Sequence, residues 1–348
     1  MAAKNRIQYY DALKFIAILS IIALHIVQIW DHGEQVLHFD FYAIIELFKI
    51  GVPLFLMITG ALLLNREIEL KSFFKKKFVR IFYPLIFFFI LNLIIMRPHS
   101  PNFFRYNWYA WFMIGVYLAI PIINKFVYYS SLDEIRQVVI IIFISSIIYQ
   151  LFNYSGDYFY LNLNFFLGPF CYLIMGYYFS RKEYDMSPNK IITICLILFI
   201  SATLLKMCGQ LKFIPIDLVI NFNANMNDLV FSWIDVGPLE LIQASSIFVL
   251  FRYLYESKTS IYSKFRNLLE TKYIKKFIIS VSKASYGMYL VNVTFMSLCK
   301  TRVSHMSLTG TQMTIWFLML TISIFLGSWL VVVAFGKIPF IKRFSGYA

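Results

Sequence analysis

YYDALKFIAILSIIALH, the stretch from Tyr9 to His25, opens the first of many long apolar segments in this chain. Together with the residues that follow, it is long enough to cross about 30 Å of hydrocarbon as a helix. Acidic or basic side chains interrupt it at Asp11, Lys14 and His25, and the last two are the most informative pair. On a helix their spacing is three turns plus about 20°, so they share one face and lie about 16 Å apart along the axis. Because ionisable groups inside a membrane are costly, this pair predicts a functional site.

The composition of the whole chain is that of a polytopic membrane protein. Of its 348 residues, 60% are hydrophobic and 14% are charged, whereas soluble domains are nearer about 45–50% apolar and about 25% charged. Apolar runs that could each span a bilayer recur from end to end, and they predict an all-α membrane helix bundle with about ten transmembrane helices. The predicted spans are 9–30, 41–64, 78–97, 108–126, 137–153, 164–180, 190–208, 236–254, 276–298 and 311–335.

The distribution of basic residues predicts how these spans are oriented. If the N-terminus lies in the cytoplasm, the inside segments hold 23 of the 32 lysines and arginines and the outside segments hold 6. Cytoplasmic loops are enriched in these residues, so we expect both termini to be cytoplasmic. The net charge of +14 then reflects topology and does not indicate nucleic acid as a partner. In this orientation Lys14 lies near the cytoplasmic face and His25 in the outer half of the membrane.

A second group of cations lies where the third span begins. The segment KSFFKKKFVR, from Lys71 to Arg80, carries five cations in ten residues. Topology alone accounts for basic residues at this place. The cluster also has the charge to clamp phosphates, and Arg80 could bind them in a bidentate way. Both interpretations stay open on the residues alone.

His25 is the candidate base, and two carboxylates are candidates for its partner. The unperturbed pKa of histidine, about 6.5, suits a general base near neutral pH, although a packing histidine is the alternative. Glu46 in the second span and Glu240 at the outer end of the eighth are expected at about the same depth. Either could orient the imidazole, and Glu46 could instead pair with Lys49.

Two further polar features have both a structural and a functional interpretation. Thr59 and Gly60 in the second span favour close helix packing, or they make room for a thin ligand. The longest external stretch, 206–235, is rich in amides and carboxylates that could grip a sugar, or it is a solvated loop.

Five motifs follow one another along the chain. They are YDALK from Tyr10 with His25, VPLFLMITG from Val52, WFMIGVY from Trp111 with Pro121, YLIMGY from Tyr172, and SKASYGMYL from Ser282. In order and spacing they resemble the acyltransferase-3 family of bacterial membrane proteins, particularly the enzymes that O-acetylate surface polysaccharides such as enterobacterial common antigen. The resemblance covers nearly the whole chain, and it implies a single integral-membrane domain over 1–348.

The resemblance also implies an activity and a location, the bacterial inner membrane. An acyl group, most often acetyl, would pass from cytoplasmic acetyl-coenzyme A to a hydroxyl of a surface polysaccharide or its lipid-linked precursor, without a metal ion. The family's basic residue and histidine fall on Lys14 and His25, and its basic pair before the third span falls on Lys77 and Arg80. The family usually has arginine where this chain has Lys14 and Lys77. Its members often have a histidine where this chain has Asn292, which cannot shuttle protons.

These expectations define a candidate site and its rivals. His25 would act as general base or transient acyl carrier. The candidate catalytic residues are His25, Glu46 and Glu240, and the candidate donor-binding residues are Lys14, Lys77 and Arg80. A non-catalytic transporter or an export subunit for surface glycans or acyl groups is the alternative, although paired interrupted helices are not evident. Membrane-bound O-acyltransferases of the other superfamily carry their histidine late in the chain, not in the first span.

Overall fold

The computed structural model describes residues 6–27, 45–96, 103–154, 167–210, 237–257, 261–303 and 310–347, and most of these residues are helical. In chain order, helices α1 to α12 span Gln8–Val27, Gly51–Leu63, Leu70–Met96, Phe103–Tyr106, Trp108–Tyr129, Leu132–Tyr154, Phe170–Arg181, Pro188–Gln210, Pro238–Glu256, Ser263–Glu270, Lys272–Val303 and Gly310–Lys337. These ranges contain no strand. The predicted all-α class is confirmed.

Six helical segments are long and apolar enough to cross a membrane, and they correspond to the first four, the seventh and the tenth predicted spans. They are Gln8–Val27, Ile45–Leu63, Leu70–Met96, Trp108–Tyr129, Pro188–Met207 and Thr311–Lys337. The other four predicted spans coincide with α6, α7, α9 and α11, of which α7 has only 12 residues. These helices indicate a multi-pass membrane protein. The count of ten spans and the cytoplasmic side of the termini stay predictions.

The chain divides into two compact units, each assembled from three separate stretches. Unit 1 comprises Met1–Ala17, Val52–Asn65 and Ile123–Ser282, and unit 2 comprises Ile18–Gly51, Arg66–Ile122 and Lys283–Ala348. Because the two units interleave along the chain, the division does not mark a boundary between consecutive domains. The single-domain organisation therefore stays a prediction.

Unit 1 has an apolar core between α8 and α9. Its fully buried members are Ile191, Ile192, Cys195, Val249, Leu250 and Leu254. Cys171, Cys195 and Cys299 are free thiols, and the first two are buried. Cys195 thus packs as a small apolar residue.

Helices α2 and α7 of unit 1 approach each other at two glycines. A Cβ atom on Gly60 would collide with the backbone of Leu173, and one on Gly176 would collide with the backbone of Met57. Only residues without a side chain allow two helix backbones to come this close. The hydroxyl of Thr59 donates to a carbonyl one turn earlier in its own helix, at 2.8 Å. Of the two interpretations of Thr59 and Gly60, the structure supports close packing.

Candidate functional site

His25 is buried in unit 2, near the end of α1, with 4% of its surface exposed. Its Nδ1 lies 2.9 Å from Oδ1 of Asn292, which is 267 residues further along the chain, in α11. The centroid of its ring lies 5.9 Å from that of Tyr289. A buried imidazole with one nitrogen engaged has a fixed ring orientation, which is what a general base or a nucleophile requires.

Asn292 is itself fixed by its own helix. Its Nδ2 donates to the carbonyl oxygen of Met288 at 3.2 Å and to that of Tyr289 at 2.6 Å. The residue is fully buried. The oxygen that faces His25 is therefore held in place by two hydrogen bonds on the other side of the same amide.

Four tyrosines of unit 2 lie in contact or within electrostatic range of one another, and we call them the tyrosine row: Tyr109 and Tyr117 of α5, and Tyr286 and Tyr289 of α11. The backbone N–H of Tyr109 donates to the hydroxyl of Tyr289 at 3.0 Å, and their ring centroids are 5.6 Å apart. Tyr117 and Tyr286 are both within electrostatic range of Tyr109. Tyr109 and Tyr289 are buried, whereas Tyr117 and Tyr286 are half-buried. The row is thus most buried where Tyr289 meets His25.

The less buried end of the tyrosine row contacts Lys77, one of the predicted donor-binding cations, and Arg80 is nearby on α3. Nζ of Lys77 lies 5.2 Å from the ring centroid of Tyr117, a cation–π distance. Arg80 is exposed and lies within electrostatic range of Tyr117. The hydroxyl of Tyr286 donates to the carbonyl of Ile81 at 3.0 Å, which fixes the row to α3 next to Arg80.

The length of α5 sets the distance between the two ends of the row. Tyr109 and Tyr117 are eight residues apart on this helix, so they are separated by about 12 Å along its axis. Tyr117 contacts Lys77, and Tyr109 bonds the hydroxyl of Tyr289 beside His25. Unit 2 therefore brings Lys77, Arg80 and the imidazole to the two ends of one set of aromatic side chains.

Lys14 lies in the part of α1 that belongs to unit 1 and is half-buried. One turn earlier in the helix, the buried carboxylate of Asp11 accepts hydrogen bonds from Arg6, at 2.6 Å, and from Ser282. Lys14 and His25 belong to one continuous helix, Gln8–Val27. This confirms the predicted spacing of three turns along α1. The role of Lys14 in donor binding stays a prediction.

The two candidate carboxylates each form an ion pair with a lysine. Glu46 lies 2.8 Å from Nζ of Lys49, which was the alternative partner expected for it. Glu240 lies 2.8 Å from Nζ of Lys206 in unit 1. The imidazole Nδ1 is oriented by an amide instead. A part for either carboxylate in the chemistry stays a prediction.

The Glu240 ion pair belongs to a buried polar network. Lys206 is 5% exposed, and its Nζ also donates to Oε1 of Gln243 at 3.0 Å. Nε2 of Gln243 donates to the hydroxyl of Thr203 at 2.7 Å. The network joins α8 to α9, so its first effect is on packing within unit 1.

We expect Lys206→Met to lower the free energy of unfolding by about 1–3 kcal/mol, because it removes the counter-charge beside the partly buried carboxylate of Glu240. The double variant Lys206→Met/Glu240→Leu should recover most of that loss, since an apolar pair can replace a buried ion pair. Thermal unfolding in detergent measures both. Turnover of the stable double variant then tests the carboxylate directly, because full activity would contradict a catalytic role for Glu240.

Two features of the site escaped the sequence reasoning. Three members of the tyrosine row occur in the motifs, but Tyr109 does not, and the motifs do not predict that the four lie together. Asn292 was expected to form hydrogen bonds but not to shuttle protons, and no partner was predicted for it. One signal was present, because Tyr286, Tyr289 and Asn292 recur every third residue of α11 and so lie along one side of it. The external stretch 206–235 lies mostly outside the described residues, so its two interpretations stay open.

The comparison with family models identifies the chain. The model of the acyltransferase-3 family, described as an acyltransferase domain, matches residues 7–333. Searches of the curated proteins and of the solved structures returned no significant match. The matched region contains His25, Asn292, the tyrosine row and every candidate site residue. The motif resemblance is therefore confirmed, and the chain belongs to the acyltransferase-3 family of membrane acyltransferases.

Proposed function

We propose that this acyltransferase moves an acetyl group from cytoplasmic acetyl-coenzyme A to a hydroxyl of a surface polysaccharide or its lipid-linked precursor. One observation carries the proposal: the buried, oriented imidazole of His25 lies beside one end of the tyrosine row, and Lys77 contacts the other end, with Arg80 three residues further along α3. Unit 2 thus contains both a side chain that could react, His25, and cations that could bind an anionic donor, Lys77 and Arg80.

Acetyl-coenzyme A has an anionic part and a reactive thioester, which match the cations and the imidazole at the two ends of the tyrosine row. The phosphates of coenzyme A are anions that Lys77 and Arg80 would bind through charge-assisted hydrogen bonds. The same role for Lys14 stays a separate prediction from the sequence. The pantetheine arm of coenzyme A spans about 15–20 Å when extended, judged from ordinary bond lengths. That length is comparable with the axial separation of about 12 Å between Tyr117 and Tyr109 and with the separation of about 16 Å between Lys14 and His25. The thioester would then lie near His25.

Two routes transfer the acetyl group with the same residue. As a general base, His25 accepts the proton of the acceptor hydroxyl while the hydroxyl oxygen attacks the thioester carbonyl. The C–S bond breaks, an ester forms, and the coenzyme A thiolate takes the proton. As a nucleophile, Nε2 of the imidazole first attacks the thioester carbonyl, so that the C–S bond breaks and the coenzyme A thiolate leaves. The acceptor hydroxyl then takes the acyl group, the bond to Nε2 breaks, and the hydroxyl proton passes by way of Nε2 to the thiolate. Both routes need one imidazole nitrogen with a free lone pair.

The proposal is tested on the glycan and on the donor. A strain lacking the protein should lose one acetyl mass per repeating unit from a surface glycan, measured by mass spectrometry, and a plasmid copy should restore it. Membranes that contain the protein should consume acetyl-coenzyme A faster than succinyl-coenzyme A when the glycan precursor is present. Unchanged glycans would contradict the acceptor class, and a preference for succinyl-coenzyme A would contradict the acyl group.

We expect Lys77→Ala and Arg80→Ala each to raise the KM for acetyl-coenzyme A by about 10- to 100-fold with little change in kcat, because each removes a hydrogen bond to a charged group that is made before the reaction. Lys125→Ala is the matched control, since Nζ of Lys125 lies 5.6 Å from the ring centroid of Tyr129 and forms a similar cation–π pair elsewhere. An unchanged KM in both site variants would rule out this donor site.

A further inference from the structure

We infer that Asn292 is a positioning residue that holds His25 in the tautomer with its proton on Nδ1, so that the lone pair of Nε2 is left for the chemistry. The chemical role of Nε2 in this inference depends on the proposed function. The tautomer itself is a property of the resting protein, and it can be tested without a substrate.

The first step fixes the orientation of the Asn292 amide. Its Nδ2 lies 3.2 Å from the carbonyl oxygen of Met288 and 2.6 Å from that of Tyr289. Carbonyl oxygens only accept hydrogen bonds, so the group that faces them must be the NH₂ group. The group that faces His25 is therefore Oδ1, which has no proton to donate.

The second step assigns the imidazole proton. Nδ1 of His25 lies 2.9 Å from Oδ1 of Asn292. If Nδ1 carried no proton, two lone pairs would face each other at this distance in a site where His25 is 4% exposed and Asn292 is fully buried. Nδ1 must therefore be the donor. A neutral imidazole has one N–H, so Nε2 carries the lone pair.

The third step concerns the reaction. Asn292 cannot accept the Nδ1 proton, whereas a carboxylate at the same place could. The proton taken from the acceptor hydroxyl therefore enters at Nε2 and leaves from Nε2 to the thiolate, while Nδ1 keeps its own proton throughout. If the nucleophilic route operates, the acyl group forms its bond to Nε2. In both routes Asn292 acts through His25 and does not touch the reacting atoms.

Nuclear magnetic resonance of the purified protein in detergent tests the tautomer. The chain has 5 histidines, so labelling them with ¹⁵N gives a small set of signals, and His25→Asn identifies those of His25. We expect a protonated Nδ1 and an unprotonated Nε2 in the resting protein. Asn292→Leu should shift His25 toward the other tautomer. A protonated Nε2 in the native protein, or unchanged His25 signals in Asn292→Leu, would overturn the inference.

Turnover provides the second test. Asn292→Leu should lower kcat by about 10²- to 10⁴-fold, the usual range for general acid–base catalysis, while the KM for acetyl-coenzyme A changes little. Asn292→Asp keeps an oxygen acceptor beside Nδ1 and should recover at least about tenfold of that loss. If Asn292→Leu raised the KM for acetyl-coenzyme A and left kcat unchanged, that result would contradict a positioning role.

Asn92→Leu is the matched control. Asn92 is also a fully buried amide of unit 2, and its Nδ2 donates to the hydroxyl of Thr294 at 2.9 Å. This variant should leave the His25 signals unchanged. If it shifted the tautomer as much as Asn292→Leu, the effect would come from loosened packing and the inference would fail. If the tautomer behaves as expected but the native protein shows no turnover with acetyl-coenzyme A, the proposed function fails and the positioning role stands.

Discussion

Replacing His25 with asparagine should reduce acyl transfer by at least about 10³-fold while the protein keeps its fold, because the reaction needs a nitrogen lone pair inside the site. The amide nitrogen of asparagine can take the place of Nδ1 and still donate to Oδ1 of Asn292. In the native protein Nδ1 lies 2.9 Å from that oxygen. The asparagine side chain has no atom in the place of Nε2. The loss should appear in the turnover of acetyl-coenzyme A, and the thermal unfolding curve should stay close to that of the native protein.

His25→Ala extends this test. It removes both nitrogens and should also abolish acetylation, and added imidazole should restore part of the activity if the missing group is a base. Asn92→Leu is again the control, because it removes a different buried hydrogen bond, that from Asn92 to Thr294, and leaves His25 in place. Full activity in His25→Ala would exclude a chemical role for this residue.

The sequence was sufficient for those parts of the fold that depend on one segment at a time. The helix Gln8–Val27 follows from a long, predominantly apolar segment that must satisfy its own backbone hydrogen bonds. The interleaving of the two units could not be predicted, because it depends on which helices pack together. In a membrane protein this choice rests on small residues and single polar contacts, such as Gly60 against the backbone of Leu173.

The candidate site was predictable to the extent that its members are charged. His25, Lys77 and Arg80 stand out because an ionisable side chain in or beside a membrane segment is energetically costly and therefore indicates a functional site. The ion pair between Glu46 and Lys49 was predictable because the two are three residues apart. The partnership of His25 with Asn292 was not, since a neutral amide carries no such signal and its partner is 267 residues away.

Alanine substitutions at Gly60 and Gly176 should have the largest effect on stability. An added Cβ would lie closer to the facing backbone, that of Leu173 or of Met57, than real Cβ atoms come to other atoms. A backbone cannot turn aside as a side chain can, so α2 and α7 would have to separate. We expect each variant to lose about 3 kcal/mol or more in the free energy of unfolding. Thermal unfolding and the yield of folded protein from membranes measure this.

Gly115→Ala gives the opposite expectation from the same chemistry. Gly115 lies within α5, and apart from its own stretch of helix backbone an added Cβ there would have no atom of the described residues within 4 Å. Alanine is favoured over glycine inside a helix by about 0.5–1 kcal/mol, so this variant should be neutral or slightly more stable. The effect of a glycine-to-alanine substitution on the free energy of unfolding is therefore expected to have opposite signs in α5 and at the contact of α2 with α7. Equal effects at all three glycines would mean that helix propensity, and not the close approach of two backbones, explains why glycine occupies these positions.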